Sequence, residues 1–159
     1  MRPPNQRSWF SKCASASRWV GDQHRDSFGR LKMLLLCSLR GSITLWQGEE
    51  LGLPQVDVPF DRLQDPEAIA NWPQTLSRDG ARTPMPWKSE APQLGFSTAD
   101  PWLPVGKAHV ALAVDRQDAS ADSLLQFTRD CLRLRRSRPS LHHGSIKVTR
   151  ADEQVLVFE

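Results

Sequence analysis

The stretch from His24 to Pro54 constrains the fold most, because its periodicity changes partway along. In "HRDSFGRLKMLLLCSLR", His24 to Arg40, apolar residues at Phe28, Leu31, Leu34, Leu35 and Leu39 share one helical face, and Gly41 offers a left-handed stop. "SITLWQGEELGLP" follows, β-branched and apolar from Ile43 to Gln47 and broken at Gly48. Helix, glycine, buried strand and acidic loop make one step of an α/β protein. Ligands in such folds sit at the carboxyl ends of strands, where Glu49 and Glu50 would emerge.

The chain has 159 residues, 39% hydrophobic and 25% charged, which accommodates one domain and excludes a large multidomain enzyme. Its net charge of +3 is mild. Basic residues concentrate only in "RLRRSRP", where a solvated helix face is expected. The alternative, a nucleic-acid stripe through Arg133, Arg135, Arg136 and Arg138, has no accompanying motif, so no nucleic-acid partner is expected. Cys13, Cys37 and Cys131 are far apart and not at metal spacing, which suits a reducing, cytoplasmic setting. "MLLLCSL" is too short to span a bilayer, so no membrane partner is expected either.

Elsewhere the pattern is uneven. Residues 1–23 lack periodicity and read as irregular. Residues 54–107 form a long Pro- and Trp-rich segment with one expected helix, Asp65 to Trp72; long loops in compact domains are usually functional or disordered, and the aromatics argue against disorder. A second helix is expected from Ser120 to Ser137, burying Leu124, Leu125, Phe127, Thr128, Cys131, Leu132 and Leu134 before Pro139. "SIKVTRADEQVLVFE" alternates on both sides of "RADE", which predicts a hairpin whose second arm reads as mid-strand at Glu159.

The chemistry-bearing candidates are few. Glycosidases place two carboxyls about 5 to 10 Å apart, but adjacent residues such as Glu49 and Glu50 diverge, so one buried hydrogen-bonding Glu and one surface Glu is the simpler expectation. His24, His142 and His143 read as surface residues and His109 as structural. No triad order, phosphate loop or metal spacing is visible. In "TLSRDGARTPMPW", Thr75 to Trp87, two prolines restrict the backbone and Gly80 permits a tight turn. Arg78, Asp79 and Arg82 there are either a salt-bridged loop staple or a polar clamp in a ligand pocket. Trp46, Trp72, Trp87 and Trp102 could stack on sugars, although packing is the commoner use of tryptophan.

"SITLWQGEELGLP", "IANWPQTLSRDGARTPMPW", "GFSTADPWLPV" and "LRLRRSRPSLHHGS", in this order, resemble the C-terminal part of α-amylase-type α-glucosidases, the group that includes oligo-1,6-glucosidase and sucrose-active relatives. The resemblance runs from about Ser17 to Glu159. It implies an α/β fold: a partial (β/α)8 barrel over 24–140, keeping the last helix-strand-helix units and a long substrate loop, after an irregular segment 1–23. At 141–159 the barrel leads into the truncated start of a C-terminal β-domain. His24 to Arg40 resembles the seventh barrel helix, Ile43 to Gln47 the eighth strand and 121–137 the final helix. The arginine matching Arg82 helps hold the non-reducing-end sugar in that family.

The family's chemistry is retaining hydrolysis through an Asp nucleophile, a Glu acid/base and a further Asp in an Asn-His-Asp motif. The first two would lie upstream, and where the motif is due this chain reads "MRPPNQRSWFSKCAS", so no catalytic residue carries over. The expectation is therefore a C-terminal α-glucosidase fragment, inactive alone, with no cofactor and no metal. Its expected partners are small glucosides or oligosaccharides and the N-terminal barrel portion. The alternative is a non-catalytic glucoside-binding or interaction module.

Overall fold

A computed structural model describes residues 22–74 and 77–159. The expectation for 1–23 therefore lies almost wholly outside the described residues. At its end, Asp22–His24 forms a 3-10 turn leading into helix α1, Arg25–Ser38. Asp26 sits in the first turn, where the helix dipole favours an anion, and accepts from Arg30 one turn on at 2.6 Å. The helix ends at Leu39, which turns extended; Gly41 has the expected positive φ of 87°, but lies beyond the end rather than making it.

After Gly41 the chain from Ser42 to Trp46 forms neither helix nor strand, and Ile43 to Leu45 pair with nothing through their backbone among the described residues. The expected strand Ile43 to Gln47 is thus present only in its alternation. Ile43 and Leu45 pack inward, while Thr44 and Trp46 are exposed. A parallel strand is completed by neighbours on both sides, and the described residues supply neither. Gly48, at φ 91°, ends the stretch; a Cβ there would stand 2.7 Å from Leu53 Cδ1, so both the turn and the contact demand glycine.

The long middle segment contains one short helix, α2, Pro66–Ala70, narrower than the expected Asp65 to Trp72 and opened by proline at its first position. Further on, the 3-10 stretch Lys107–Leu112 leads to α3, Val114–Asp118, and then to α4, Leu124–Ser137. The expected start at Ser120 moves to Leu124 because Ser123 is the cap. Its hydroxyl oxygen accepts Gln126 N–H at 3.2 Å and its O–H donates to the Gln117 carbonyl at 2.7 Å. A single turn, α5, Ser140–His143, follows Pro139.

The expected hairpin is present as β1, Val148–Ala151, antiparallel to β2, Leu156–Phe158. Asp152 makes its turn, accepting the N–H groups of Gln154 and Val155 at 2.9 and 2.8 Å and Arg150 Nε at 2.7 Å. Those backbone donors, then the guanidinium, hold its carboxyl below the usual range.

Helices α1 and α4 pack against each other. Met33, Cys37 and Cys131 form the buried centre with Ile43, Leu45 and Phe127 around it, and Gly29 lets Leu124 approach closely. This corrects the expected inner face of α1. Phe28 is half-buried, and Leu31, Leu34, Leu35 and Leu39 are exposed, because α4 takes the 29/33/37 stripe and no described element covers the leucines. Leu132 and Leu134 of α4 are likewise exposed rather than buried. Two more apolar clusters lie beneath the long segment, one of Leu51, Leu53, Met85 and Leu125, the other of Val58, Leu63, Ala68 and Leu103. The interior is thus divided among small separate clusters.

Candidate functional site

The loop Ser77 to Trp87 is built on two buried aspartates. Asp79 Oδ2 accepts the N–H groups of Gln64 at 2.6 Å and Asp65 at 2.8 Å. Asp65 in turn accepts Arg78 three times: from the backbone N–H at 3.0 Å, from Nε at 2.9 Å and from Nη2 at 2.6 Å. The side-chain bonds from Arg78 hold the Asp65 carboxyl well below the usual carboxylate range, and Asp65 raises the Arg78 pKa. Gly80 is needed for close approach rather than for a positive φ: a Cβ there would meet the Val56 carbonyl oxygen at 2.2 Å, and Val56 N–H donates to the Gly80 carbonyl at 3.0 Å.

Of the three polar candidates in this loop, Arg78 and Asp79 are the staple. Arg82 is not part of it. Its backbone N–H donates to the Asp79 carbonyl at 2.8 Å, closing the 3-10 turn Asp79–Ala81. Its side chain is exposed, and its guanidinium has no hydrogen bond or ion pair among the described residues. Thr83 to Pro86 are then all buried, with the Pro86 carbonyl accepting Val114 N–H at 2.9 Å, before Trp87 emerges half exposed. Thr75 and Leu76, which open the stretch, lie outside the described residues.

Glu49 and Glu50 both close the turn after Trp46 but bind different groups. Glu49 is buried, accepts Lys32 Nζ at 2.5 Å and accepts Trp46 N–H at 3.2 Å. Glu50 is half-buried and accepts Gly48 N–H at 2.8 Å. The pair divides into a buried Glu49 and a half-buried Glu50, which is not the surface residue expected because its carboxylate accepts the Gly48 N–H in the turn. His109 is buried with Nε2 2.8 Å from the Pro54 carbonyl, and His142 Nε2 lies 2.9 Å from the Arg135 carbonyl; His24 and His143 are exposed. No cluster of three His, Cys, Asp or Glu side chains suited to a metal occurs among the described residues.

Among the described residues, none of the four tryptophans is buried. Trp46, Trp72 and Trp87 are about half exposed and Trp102 is 75% exposed. Phe60 and Trp72 meet at 5.7 Å between ring centres, and Arg62 holds the carbonyls of Pro101 and Trp102 at 2.6 and 2.9 Å. A groove of about 380 Å³ runs between Leu45, Trp46 and Gln47 on one side and Leu125, Thr128 and Leu132 on the other. Arg82 does not line it.

Arg135 is the buried structural cation that composition concealed. Arg133, Arg136 and Arg138 are exposed as expected, but Arg135 is buried and spends its guanidinium on backbone carbonyls: Cys37 at 2.8 Å, Leu39 at 2.7 Å, Leu141 at 3.0 Å, and Gly41. It therefore closes the C-terminal end of α1, where carbonyls lack helical partners and the dipole favours a cation. The signal was in the spacing, since 124, 128, 131 and 135 repeat on one helical face. Gln117 was also missed; it donates to the Leu51 and Leu112 carbonyls and accepts Leu125 N–H, tying three segments together.

The alpha-amylase catalytic-domain family matches residues 12–144. The chain belongs to this family. Its relatives include a probable α-glucosidase of Rhizobium meliloti, 41% identical over 89% of this chain and 26% of that protein. A probable oligo-1,6-glucosidase of Bacillus subtilis is 27% identical over 89% of this chain and 29% of its own length. Among solved structures, the α-glucosyl transfer enzyme XgtA superposes with a TM-score of 0.84 at 48% identity, over 91% of this chain and 27% of that one. A trehalulose synthase, MutB, superposes at 0.76 with 25% identity. The chain is thus a partial (β/α)8 barrel of α-glucosidase type, spanning between a quarter and a third of the length of these relatives. No helix among the described residues is long and apolar enough to cross a membrane.

Proposed function

We propose that this chain supplies the C-terminal part of an α-glucosidase barrel, acting on small oligosaccharides or sucrose-like glucosides, and that Arg82 is its sugar-holding residue. The carrying observation is the division of labour in one loop. Arg78 and Asp79 hold the loop through the Asp65 carboxylate and the N–H groups of Gln64 and Asp65, whereas the Arg82 side chain is exposed and its guanidinium has no partner among the described residues. A guanidinium offers several donors in a rigid fork, which suits vicinal hydroxyls and a neighbouring carboxylate better than an ammonium does. In this reading the buried Thr83 to Pro86 run sets the direction from which Arg82 approaches the ring. Catalytic carboxylates come from the rest of the barrel, because Glu49 and Glu50 are bound up in a turn.

The test is a chimera in which Ser17 to Glu159 replaces the matching part of the R. meliloti α-glucosidase. It should hydrolyse an aryl α-glucoside, while the chain alone should not exceed buffer. Arg82→Ala in the chimera should lower kcat/KM about a hundredfold, the size a hydrogen bond to a charged group carries. Arg78→Ala should change kcat/KM less and the thermal midpoint more. An Arg82→Ala chimera that keeps its kcat/KM but melts earlier makes Arg82 a second staple and overturns the assignment. So does activity of the isolated chain that vanishes in Glu49→Gln or Glu50→Gln.

A further inference from the structure

Helix α1 contributes Cys37 and helix α4 contributes Cys131 to one buried cluster around Met33, and both are free thiols. Their level along the seam follows from the contacts between the two helices. Gly29 lies so close to Leu124 that a Cβ would stand 3.0 Å from Leu124 Cδ2, the Arg30 guanidinium lies over the Phe127 ring at 5.2 Å, and Arg135 Nη1 donates to the Cys37 carbonyl at 2.8 Å. The contacts advance in the same order on both helices, so the helices run parallel. Cys37 is eight residues beyond Gly29 and Cys131 seven beyond Leu124. At 1.5 Å per residue the two stand about 12 and about 10.5 Å along the seam, which is nearly the same level. A disulfide needs its Cα atoms within about 7 Å, and residues at one level of a seam narrowed by glycine, facing one cluster, are placed to meet that. Burial raises both thiols, and Cys37 raises Cys131 further.

We propose that Cys37 and Cys131 form a redox-dependent clasp between α1 and α4, closed by exchange with a low-molecular-weight disulfide. In the first step the Cys37 thiolate attacks one sulfur of that disulfide, its S–S bond breaks, and one small thiolate leaves. In the second, the Cys131 thiolate attacks the Cys37 sulfur of the mixed disulfide and the other small thiolate leaves. The protein gives up two electrons and two protons, and the small disulfide takes them up as two thiols. Cys37 reacts first, because Arg135 opposes the effect of burial there, whereas Cys37 and Asp130 add to it at Cys131. Since both thiols are buried, exchange waits for the seam to open. The bond spans 94 positions and encloses the whole loop from Ser77 to Trp87, Arg82 included. Oxidation therefore restricts the unfolded chain across the segment that carries the candidate site, and a reductant releases it.

The full chain is treated with oxidised glutathione, remaining thiols are blocked with iodoacetamide, and the product is digested with trypsin without reduction. The expected main product joins the peptide Met33 to Arg40 with the peptide Asp130 to Arg133, two hydrogens lighter than the free-thiol pair, and dithiothreitol separates them. The same treatment in guanidinium chloride is the control. There, loop-closure entropy favours Cys13–Cys37, 24 positions apart, over Cys37–Cys131, 94 apart, by about eightfold. In the native chain the preference should reverse, with Cys37–Cys131 ahead by at least about tenfold, and Cys13→Ser should leave that product unchanged. The linked chain should melt about 10 °C above the reduced chain and lose the gain in dithiothreitol; both states have one sequence, so no variant has to fold for this comparison. The proposal fails if the native chain gives the product ratio of the denatured one, if both cysteines are recovered blocked by iodoacetamide, or if the linked chain melts no higher than the reduced one. Each of these results makes Cys37 and Cys131 ordinary packing residues.

Discussion

The loop around Asp65 and Asp79 and the extended stretch Ile43 to Trp46 face the same physical problem, because both carry backbone donors and acceptors outside any helix. The loop solves it internally: two carboxylates collect the N–H groups of Gln64, Asp65 and Arg78, and one guanidinium closes the arrangement. The stretch does not, and Ile43, Thr44 and Leu45 have side chains placed for a sheet but no backbone partners among the described residues. One region is held by hydrogen bonds between residues 13 to 15 apart in sequence, the other only by packing of Ile43 and Leu45 on α1 and α4 among the described residues. The difference teaches which half of the chain carries its own structure.

The strongest way to break this comparison is hydrogen exchange on the isolated chain. The amides of Gln64, Asp65 and Arg82 should exchange about a thousandfold more slowly than those of Ile43 to Leu45, because local opening energies follow the bonds that must break. Equal rates would mean that the loop does not hold itself. Next in size is Asp79→Ala in the active chimera. It leaves two N–H groups without their acceptor and should cost about 3 kcal/mol in denaturant unfolding.

Acid sharpens the same contrast. The Asp65 carboxyl is held below its unfolded value of about 3.9, so the unfolded chain binds the proton more readily. Its contribution is therefore complete above about pH 4 and is lost as pH falls from there towards the lower folded value. Denaturation of the chimera followed from pH 6 to pH 2 should show this fall, and Asp65→Asn should flatten it. A slope unchanged by Asp65→Asn would place the acid sensitivity elsewhere. The smallest effect belongs to the bare stripe. Leu34→Glu in the isolated chain should change stability by no more than about 0.5 kcal/mol while reducing hydrophobic dye binding. A large loss of stability would show that Leu34 has a partner within the chain.

Much of the fold was legible. The helices around 25–38 and 124–137 follow from apolar spacing, and the turn at Asp152 from its flanking alternation. The inner face of α1 was misread because pattern alone ranks four leucines above Gly29 and Cys37. Burial instead went to the side where small residues let α4 come close. Arg135 was hidden in a basic run, since charge counts do not tell which arginine turns towards a helix end. In the loop, Arg78, Asp79 and Arg82 were visible as candidates, but the division between the residues that hold the loop and Arg82, whose guanidinium has no partner among the described residues, was not.

What the sequence determined by itself is local: helical stretches, a strand-like alternation, the turn chemistry of glycine, proline and aspartate, and four ordered motifs of α-glucosidase type. These depend on the preferences of a few neighbouring residues. What only the tertiary structure decided is which partner each group meets. Arg78 reaches Asp65 across 13 positions in sequence and Arg135 reaches Cys37 across 98. Such pairings depend on where distant segments are carried by the fold, and no local preference encodes that. The same reason leaves Ile43 to Trp46 a strand in pattern alone, because no described element pairs with its backbone.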